Sequence, residues 1–229
     1  MRLSWLGHSG FRIEIEDQVI LLDPWLGNPL FDAARRGEAI AGATRILITH
    51  GHFDHIADTV AIAQELAIPV VGIFDMITFW EQKHGVTGIG FNKGGTVRLG
   101  NVAVTMVNAT HSSSWAGPDG PVYAGTESGY MIAGEGRTIY VSGDTDVMAD
   151  MALFEELHHP EIGILCAGGH FTMDMKRAGF AAKKFFHFRT VVPCHYRTFP
   201  LLEQNADALK AALPGVDVIE PEILQPIEL

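Results

Sequence analysis

Four side chains able to hold a metal ion fall within six residues in the run His50-Gly51-His52-Phe53-Asp54-His55. An extended His-x-His segment aims two imidazoles the same way, and the Asp54-His55 pair, just beyond it at an expected helix start, can face a second ion. Imidazole and carboxylate donors without thiolates leave coordination positions open for water and substrate, which is what a catalytic ion needs. The plainer interpretation is a polar loop whose histidines are merely solvated or hydrogen-bonded. It accounts poorly for this density directly after an apolar run.

That apolar run is what positions the cluster. Arg45-Ile46-Leu47-Ile48-Thr49 reads as a central strand covered on both faces, and it leads straight into His50. Upstream, Phe11, Ile13 and Ile15 alternate with Arg12, Glu14 and Glu16, the pattern of a strand with one wet face, and Val19 to Leu22 reads as its antiparallel partner. Ile56, Val60, Ala63 and Leu66 recur at helical spacing over 56–67, and another strand starts at 69–73. Further strands are expected at 97–107, 130–133, 138–142, 162–166, 190–194 and 216–219, with helices near 147–157, 174–187 and 200–212. The order is mixed α/β. A strand-rich stretch followed by strand-helix alternation occurs twice, which hints at two similar halves. Segments 24–44 and 112–129, rich in Gly and Pro, read as long ordered loops of the binding or lid kind.

A chain of 229 residues with 47% hydrophobic content can bury one substantial core, so residues 1–229 are expected to form a single domain. The formal net charge of −11 repels nucleic-acid phosphates and anionic membrane surfaces. Neither nucleic acid nor a stable membrane association is therefore an expected partner. Cys166 and Cys194 lie in strand-like contexts without CxxC spacing, which argues against a disulfide framework and fits a reducing cytoplasm. The N-terminus lacks a signal-peptide apolar core, and no run approaches the ~20 apolar residues of a membrane span. The basic amphipathic stretch 176–189 reads as an outer helix laying its phenylalanines on a sheet. Gly168-Gly169 lacks the GxxxxGK spacing of a phosphate loop.

The run from His50 to His55 resembles the HxHxDH signature of the metallo-β-lactamase superfamily, and the resemblance extends over nearly the whole chain. It implies a four-layer αββα sandwich with the metals at the edge between the two sheets. Further ligand positions of the family are matched by His111 in Asn108-Ala109-Thr110-His111, Asp144 in Ser142-Gly143-Asp144-Thr145, and His195 in Pro193-Cys194-His195-Tyr196. Gly7-His8-Ser9, Leu22-Asp23-Pro24-Trp25 and Gly168-Gly169-His170-Phe171-Thr172-Met173 are similar to a branch of small metal-dependent hydrolases. That branch includes ascorbate-6-phosphate lactonase and, more distantly, N-acylphosphatidylethanolamine phospholipase D.

The resemblance implies that His50, His52 and His111 hold one ion and Asp54, His55 and His195 the other. Asp144 would bridge them, and Asp54 would also orient the attacking water. The implied cofactor is two divalent ions, zinc first, with Mn2+ or Fe2+ as alternatives. The expected reaction is hydrolysis by a metal-bound hydroxide of an ester or lactone bond in a small molecule. A phosphodiesterase of the same fold and a catalytically silent metal-binding protein are the alternatives. His8 and His170, each beside glycine near a strand end, are candidates for protonating the leaving group, while Asp23 is expected to order its turn or support a ligand. His84, His158, His159 and His187 have no ligand spacing. A homo-oligomer is left open.

Overall fold

The computed structural model describes residues 1–229. The first half of the chain runs β1 (Arg2–Gly7), β2 (Gly10–Ile15), β3 (Gln18–Leu22), α1 (Arg36–Ile40), β4 (Arg45–Leu47), α2 (Phe53–Ile56), α3 (Thr59–Leu66), β5 (Val70–Ile73), α4 (Phe74–His84) and β6 (Gly88–Phe91). The second runs β7 (Thr96–Leu99), β8 (Val102–Asn108), β9 (Ser114–Gly117), β10 (Gly120–Tyr123), β11 (Ser128–Gly134), β12 (Arg137–Val141), α5 (Asp150–His158), β13 (Ile162–Cys166), α6 (Met175–Phe185), β14 (Thr190–Cys194), α7 (Asp207–Ala212), β15 (Asp217–Val218) and β16 (Pro226–Glu228).

Two seven-stranded sheets result, in the orders β16-β1-β2-β3-β4-β5-β6 and β15-β14-β13-β12-β11-β8-β7. Each has the same internal plan. From β16 to β3 and from β7 to β12 the pairing is antiparallel; from β3 to β6 and from β12 to β15 it is parallel. Each half thus ends in strand-crossover-strand units, as the repeated alternation in the sequence anticipated. The sheets share one continuous core, with α4 lying on β5 and β6 and α6 on β13, flanked by α5 and α7. The result is the αββα sandwich.

Burial explains the strand patterns. β13 and β14, inside the second sheet, are buried along almost their whole length, whereas β2 alternates buried and half-buried residues. The expected single strand 97–107 is a hairpin instead. Gly100 takes a left-handed φ of 57° at its turn, and the Asp17 carboxylate accepts from the Asn101 amide. The expected helix 56–67 is broken into α2 and α3, and the Asp58 carboxylate at the break accepts from the amides of Leu26 and Gly27, holding down the loop after β3.

Segment 24–44 contains a helical turn and α1, and segment 112–129 contains the β9-β10 hairpin, so neither is a plain loop. Only 207–212 of the expected helix 200–212 is helical. β1, α4, β6 and β16 lie outside the sequence expectation: β1 is buried on both faces, so it shows no alternation, and β16 is too short to show a period. On α6 the buried face consists of Met175, Ala178, Gly179, Ala181 and Ala182, with Phe180 exposed; of the phenylalanines in 176–189, Phe185 at the helix end and Phe186 and Phe188 just past it pack on the core. Gly179 abuts the Ala212 side chain of α7, and a larger residue there would force the two helices apart.

The two sheets are stitched together beside β4. The Tyr130 hydroxyl, fully buried on β11, donates to the Ile48 carbonyl, and the Ser128 amide and hydroxyl both reach the Thr49 carbonyl. Tyr130→Phe leaves that buried Ile48 carbonyl short of a partner, a loss of about 1–2 kcal/mol. The expected fall in thermal midpoint is roughly 2–8 °C for a chain of this size, measured by calorimetry on metal-loaded protein. An unchanged midpoint would show that this bond does not hold the strand end.

Candidate metal centre

Strand direction gathers the chemistry. β1, β3 and β4 run the same way in the first sheet, and β8, β12 and β14 do so in the second. His8 follows β1, Asp23 follows β3, His50 follows β4, His111 follows β8, Asp144 follows β12 and His195 follows β14. Every one of these side chains therefore leaves the carboxyl end of a strand at the same edge of the sandwich, the place where α/β sheets present ligands. At that edge the His195 amide donates to the His8 carbonyl, joining the two sheets directly.

The backbone is bent hard to achieve this. His8, Asp23 and His195 have φ values of 52°, 42° and 58°, in the left-handed region that costs a non-glycine residue energy and clusters at functional sites. Gly168 comes so close to the His195 carbonyl that any Cβ would collide with it. The glycine pair that carries no nucleotide signal thus has a packing role: it lets the loop after β13 lie against the loop after β14.

Asp144 is the centre of the constellation. Its carboxylate, 2% exposed, has Oδ2 at 3.0 Å from His195 Nε2, 3.4 Å from His55 Nε2, 3.6 Å from His111 Nε2 and 3.9 Å from His50 Nε2. Three groups of donor atoms form around it: His50, His52 and His111; His50, His55 and Asp144; and His8, Asp54, His55 and His195. All seven predicted ligands are brought together. His50 Nε2 and His52 Nδ1 approach to 3.0 Å, two ring nitrogens converging on one point.

The supporting contacts set which nitrogen faces inward. Asp23 Oδ2 binds His55 Nδ1 at 2.7 Å and accepts from the Thr49 hydroxyl at 2.6 Å, while its Oδ1 accepts from the Thr49 amide. The Thr49 hydroxyl also lies 3.0 Å from His50 Nδ1. Asp23 and Thr49 together therefore leave Nε2 of both imidazoles free for the centre, the arrangement in which an outer carboxylate fixes a ligand's tautomer. Asp23 supports ligands from a distance, as expected. Thr49, Ser112 near His52 Nε2 at 3.4 Å, and Thr198 on His8 Nδ1 at 2.8 Å are polar contacts to which sequence reasoning gave no role; Thr49 beside His50 and Ser112 beside His111 had a signal in their position, and Thr198 had none.

His8 is fully buried, with Nε2 2.9 Å from Asp54 Oδ2. It is enclosed behind Asp54 and away from the cavity lining, so its contact is with that carboxylate, which it orients, and not directly with a leaving group. His170 corrects the expectation in the opposite direction. It is exposed on the outer side of Phe171 and lines a neighbouring surface groove, while Phe171 takes the place on the cavity wall. The direction of the loop after Gly169, set by a φ of 92° and by the Gly169 amide bonding the Met173 carbonyl, turns His170 outward. His187 sits past the end of α6, exposed and paired with Glu155.

The charges reflect this crowding. Burial disfavours the charged form of His195, but Asp144 and Asp54 outweigh it, so its pKa is pushed up to about 9. Burial likewise opposes the charge on His55, yet Asp144 and Asp23 hold it well above the usual range. For Asp144, burial is overcome by His195 and His55, and its carboxyl stays well below the usual carboxylate range. Burial dominates for His8 and lowers it to about 4 despite the Asp54 bond.

The donor set fits divalent ions. His55 Nε2 and Asp144 Oδ1 are buried without a hydrogen-bond partner, a cost that a cation beside them removes. Cys166 and Cys194 are buried free thiols whose pKa values burial raises, the former to about 12, so the donors at the centre are nitrogen and oxygen alone.

The family model described as Beta-lactamase superfamily domain matches residues 18–225, a span that takes in all seven of these donors. The chain belongs to the beta-lactamase superfamily. It is 70% identical over 230 residues to a UPF0173 metal-dependent hydrolase of Cereibacter sphaeroides and 69% identical to one of Paracoccus denitrificans, covering 100% of this chain and of each relative. Igni18, a metallo hydrolase from the hyperthermophilic archaeon Ignicoccus hospitalis, shares 32% identity and superposes with a TM-score of 0.84, over 100% of this chain and 98% of that one. With such identity along its full length, the chain is a metal-dependent hydrolase.

The raised His195 and His55 pKa values give the metal-free hydrolase a distinctive pH dependence. A histidine raised in the fold stabilises it fully below the unfolded value near ~6.5, and that stability is lost as pH rises through about 9. Metal binding needs neutral imidazoles and strengthens over the same interval. Thermal midpoints of chelator-treated protein should therefore fall between about pH 6.5 and 9, while the gain on adding zinc or manganese grows. Parallel curves with and without metal would contradict the assignment of His195 and His55 to the centre.

Proposed function

We propose that the hydrolase works through two divalent ions at this centre and cleaves an ester or lactone bond of a small molecule in the cytoplasm. The reading is carried by Asp144, a buried carboxylate with imidazoles from both sheets around one of its oxygens. His50, His52 and His111 would hold one ion, and Asp54, His55 and His195 the other, with Asp144 between them. Zinc suits these donors, as do Mn2+ and Fe2+. When bound, such a pair lowers the pKa of water from about 15.7 to about 7 and polarises the scissile carbonyl.

The chain's own residues supply position and selectivity. Asp54, partly open to the cavity and held by His8, can accept a hydrogen bond from the attacking water and fix its direction. Asp23 and Thr49 hold the His50 and His55 rings against rotation, so the centre does not reorganise during the reaction. With His8 enclosed and His170 outside, no side chain stands ready as a general acid for the leaving group, and solvent entering the open cavity supplies that proton.

Two measurements test this. Elemental analysis of protein purified without chelator and supplied with zinc or manganese should approach two ions per chain. His195→Ala should drop this towards one and cut turnover by at least ~10–100-fold, the size of changes at supporting positions alone. His187→Ala, altering an exposed surface pair, should change neither. Two retained ions and full turnover in His195→Ala would overturn the assignment of the second ion. The rate should also rise with pH through an apparent pKa near ~7, and a rate flat from about pH 5 to 9 would remove ionisation of water from the mechanism.

A further inference from the structure

Above the donor atoms opens a cavity of about 500 Å³, within the range that encloses a small-molecule ligand. Its floor carries the polar chemistry: His52, Asp54, His111, Asp144 and His195. Its walls are of another character, built from Phe53, Phe171, Phe199 and Leu201. Three of these are large apolar side chains left open to water, with Phe53 62%, Leu201 54% and Phe171 52% exposed. Single exposed apolar residues need no explanation, but several converging on one catalytic cavity mark a binding surface.

The wall is organised. Trp25 meets Phe53 edge-on at 5.5 Å between ring centroids and lies 6.1 Å from Phe199, so one aromatic row runs along the mouth from α2 to the segment after β14. Ser112 is the one neutral polar residue of the lining, and no lysine or arginine contributes to it. The arginines nearby are already engaged: Arg177 is bound to Asp146, and Arg197 pairs with Glu222 and stacks on Trp5. A phosphate or carboxylate on the substrate away from the reacting bond would find no guanidinium fork here, and burying it unpaired is costly.

We propose that this cavity selects esters and lactones whose acyl part is uncharged and apolar, with Phe171 and Leu201 as specificity-determining residues and anionic substituents rejected. The proposal rests on the ester or lactone reading above. In the reaction water adds across the acyl C–O bond; its oxygen goes to the acyl carbon, the C–O bond breaks, and a proton ends on the departing alkoxide. The aromatic row, Phe171 and Leu201 take the acyl chain and play no part in the bond changes.

The test uses the metal-loaded full chain with p-nitrophenyl acetate, butyrate and hexanoate, the mono-p-nitrophenyl ester of adipic acid, and bis-p-nitrophenyl phosphate. Burial of each added methylene should raise kcat/KM about 4-fold along the neutral series until the cavity is filled. The adipate ester, equal in length to the hexanoate but anionic, should fall roughly 10-fold or more below it. Leu201→Ala and Phe171→Ala should each lower hexanoate turnover more than acetate turnover, whereas Leu157→Ala, an exposed leucine on α5 away from the cavity, should alter neither. Binding is read separately by calorimetry with acetamide, hexanamide and adipamate; hexanamide should bind tightest.

A series flat in chain length, or one in which the adipate ester is preferred, overturns the proposal and leaves the ester reading intact. Cleavage of the phosphodiester with no ester cleaved removes the ester reading. The amides then decide the cavity's preference: hexanamide tightest sustains it, and adipamate tightest overturns it. Co-sedimentation with phosphatidylcholine vesicles, abolished in Phe171→Ala, would assign the apolar rim to a lipid surface and overturn the proposal.

Discussion

A buried carboxylate must be neutralised or paired, and Asp144 is that carboxylate here. At 2% exposure it lies among imidazoles contributed by both sheets, in a region where an unpaired charge would cost several kcal/mol. Much of the local backbone serves to bring those partners to it. The left-handed turns at His8, Asp23 and His195 are strained conformations held in place by the packing around them. Gly143, at a φ of 60° and pressed against the Ser128 carbonyl, lets the chain turn into Asp144 at all.

The repeated sheet plan explains why two acidic residues near the centre play unlike parts. β3 and β12 are equivalent strands, each the first of a parallel run, and Asp23 and Asp144 follow them at the same edge. Asp144 turns inward to the shared centre. Asp23 instead binds the outer nitrogen of His55 and both donors of Thr49, so it acts through the residues that β4 delivers. Parallel strands that end together give one edge rich in loops, and two such edges facing each other give a site with donors from both sides.

The same edge also holds the apolar wall. Phe53 sits between His52 and Asp54 in sequence, so the turn that points the ligands inward leaves its ring outward at the mouth. Phe199 and Leu201 follow His195 by a few residues, and the chain there remains outside helix geometry until Asp207. That irregular stretch carries apolar side chains to the cavity where a continuous helix would have turned them onto the sheet.

The donor cluster was legible because its residues lie close together after an apolar strand, whereas the distant His111, Asp144 and His195 were legible only through the family resemblance, each after a run that reads as a strand. Strand ends are visible as local composition, and ligand chemistry is a property of residue type; both survive without any three-dimensional knowledge. The similar halves were visible for the same reason, as repeated alternation. Tertiary structure decided the rest. His8 and His170 look alike in sequence, each a histidine beside glycine near a strand end, yet one is enclosed behind Asp54 and the other faces solvent, since the orientation of a loop depends on what packs beneath it. Gly100 split one apparent strand into two by a turn, and the small face of α6 answers to Ala212 across the helix pair. The roles of Thr198 and the aromatic row likewise come from side chains far apart in the chain, for which local pattern holds no information.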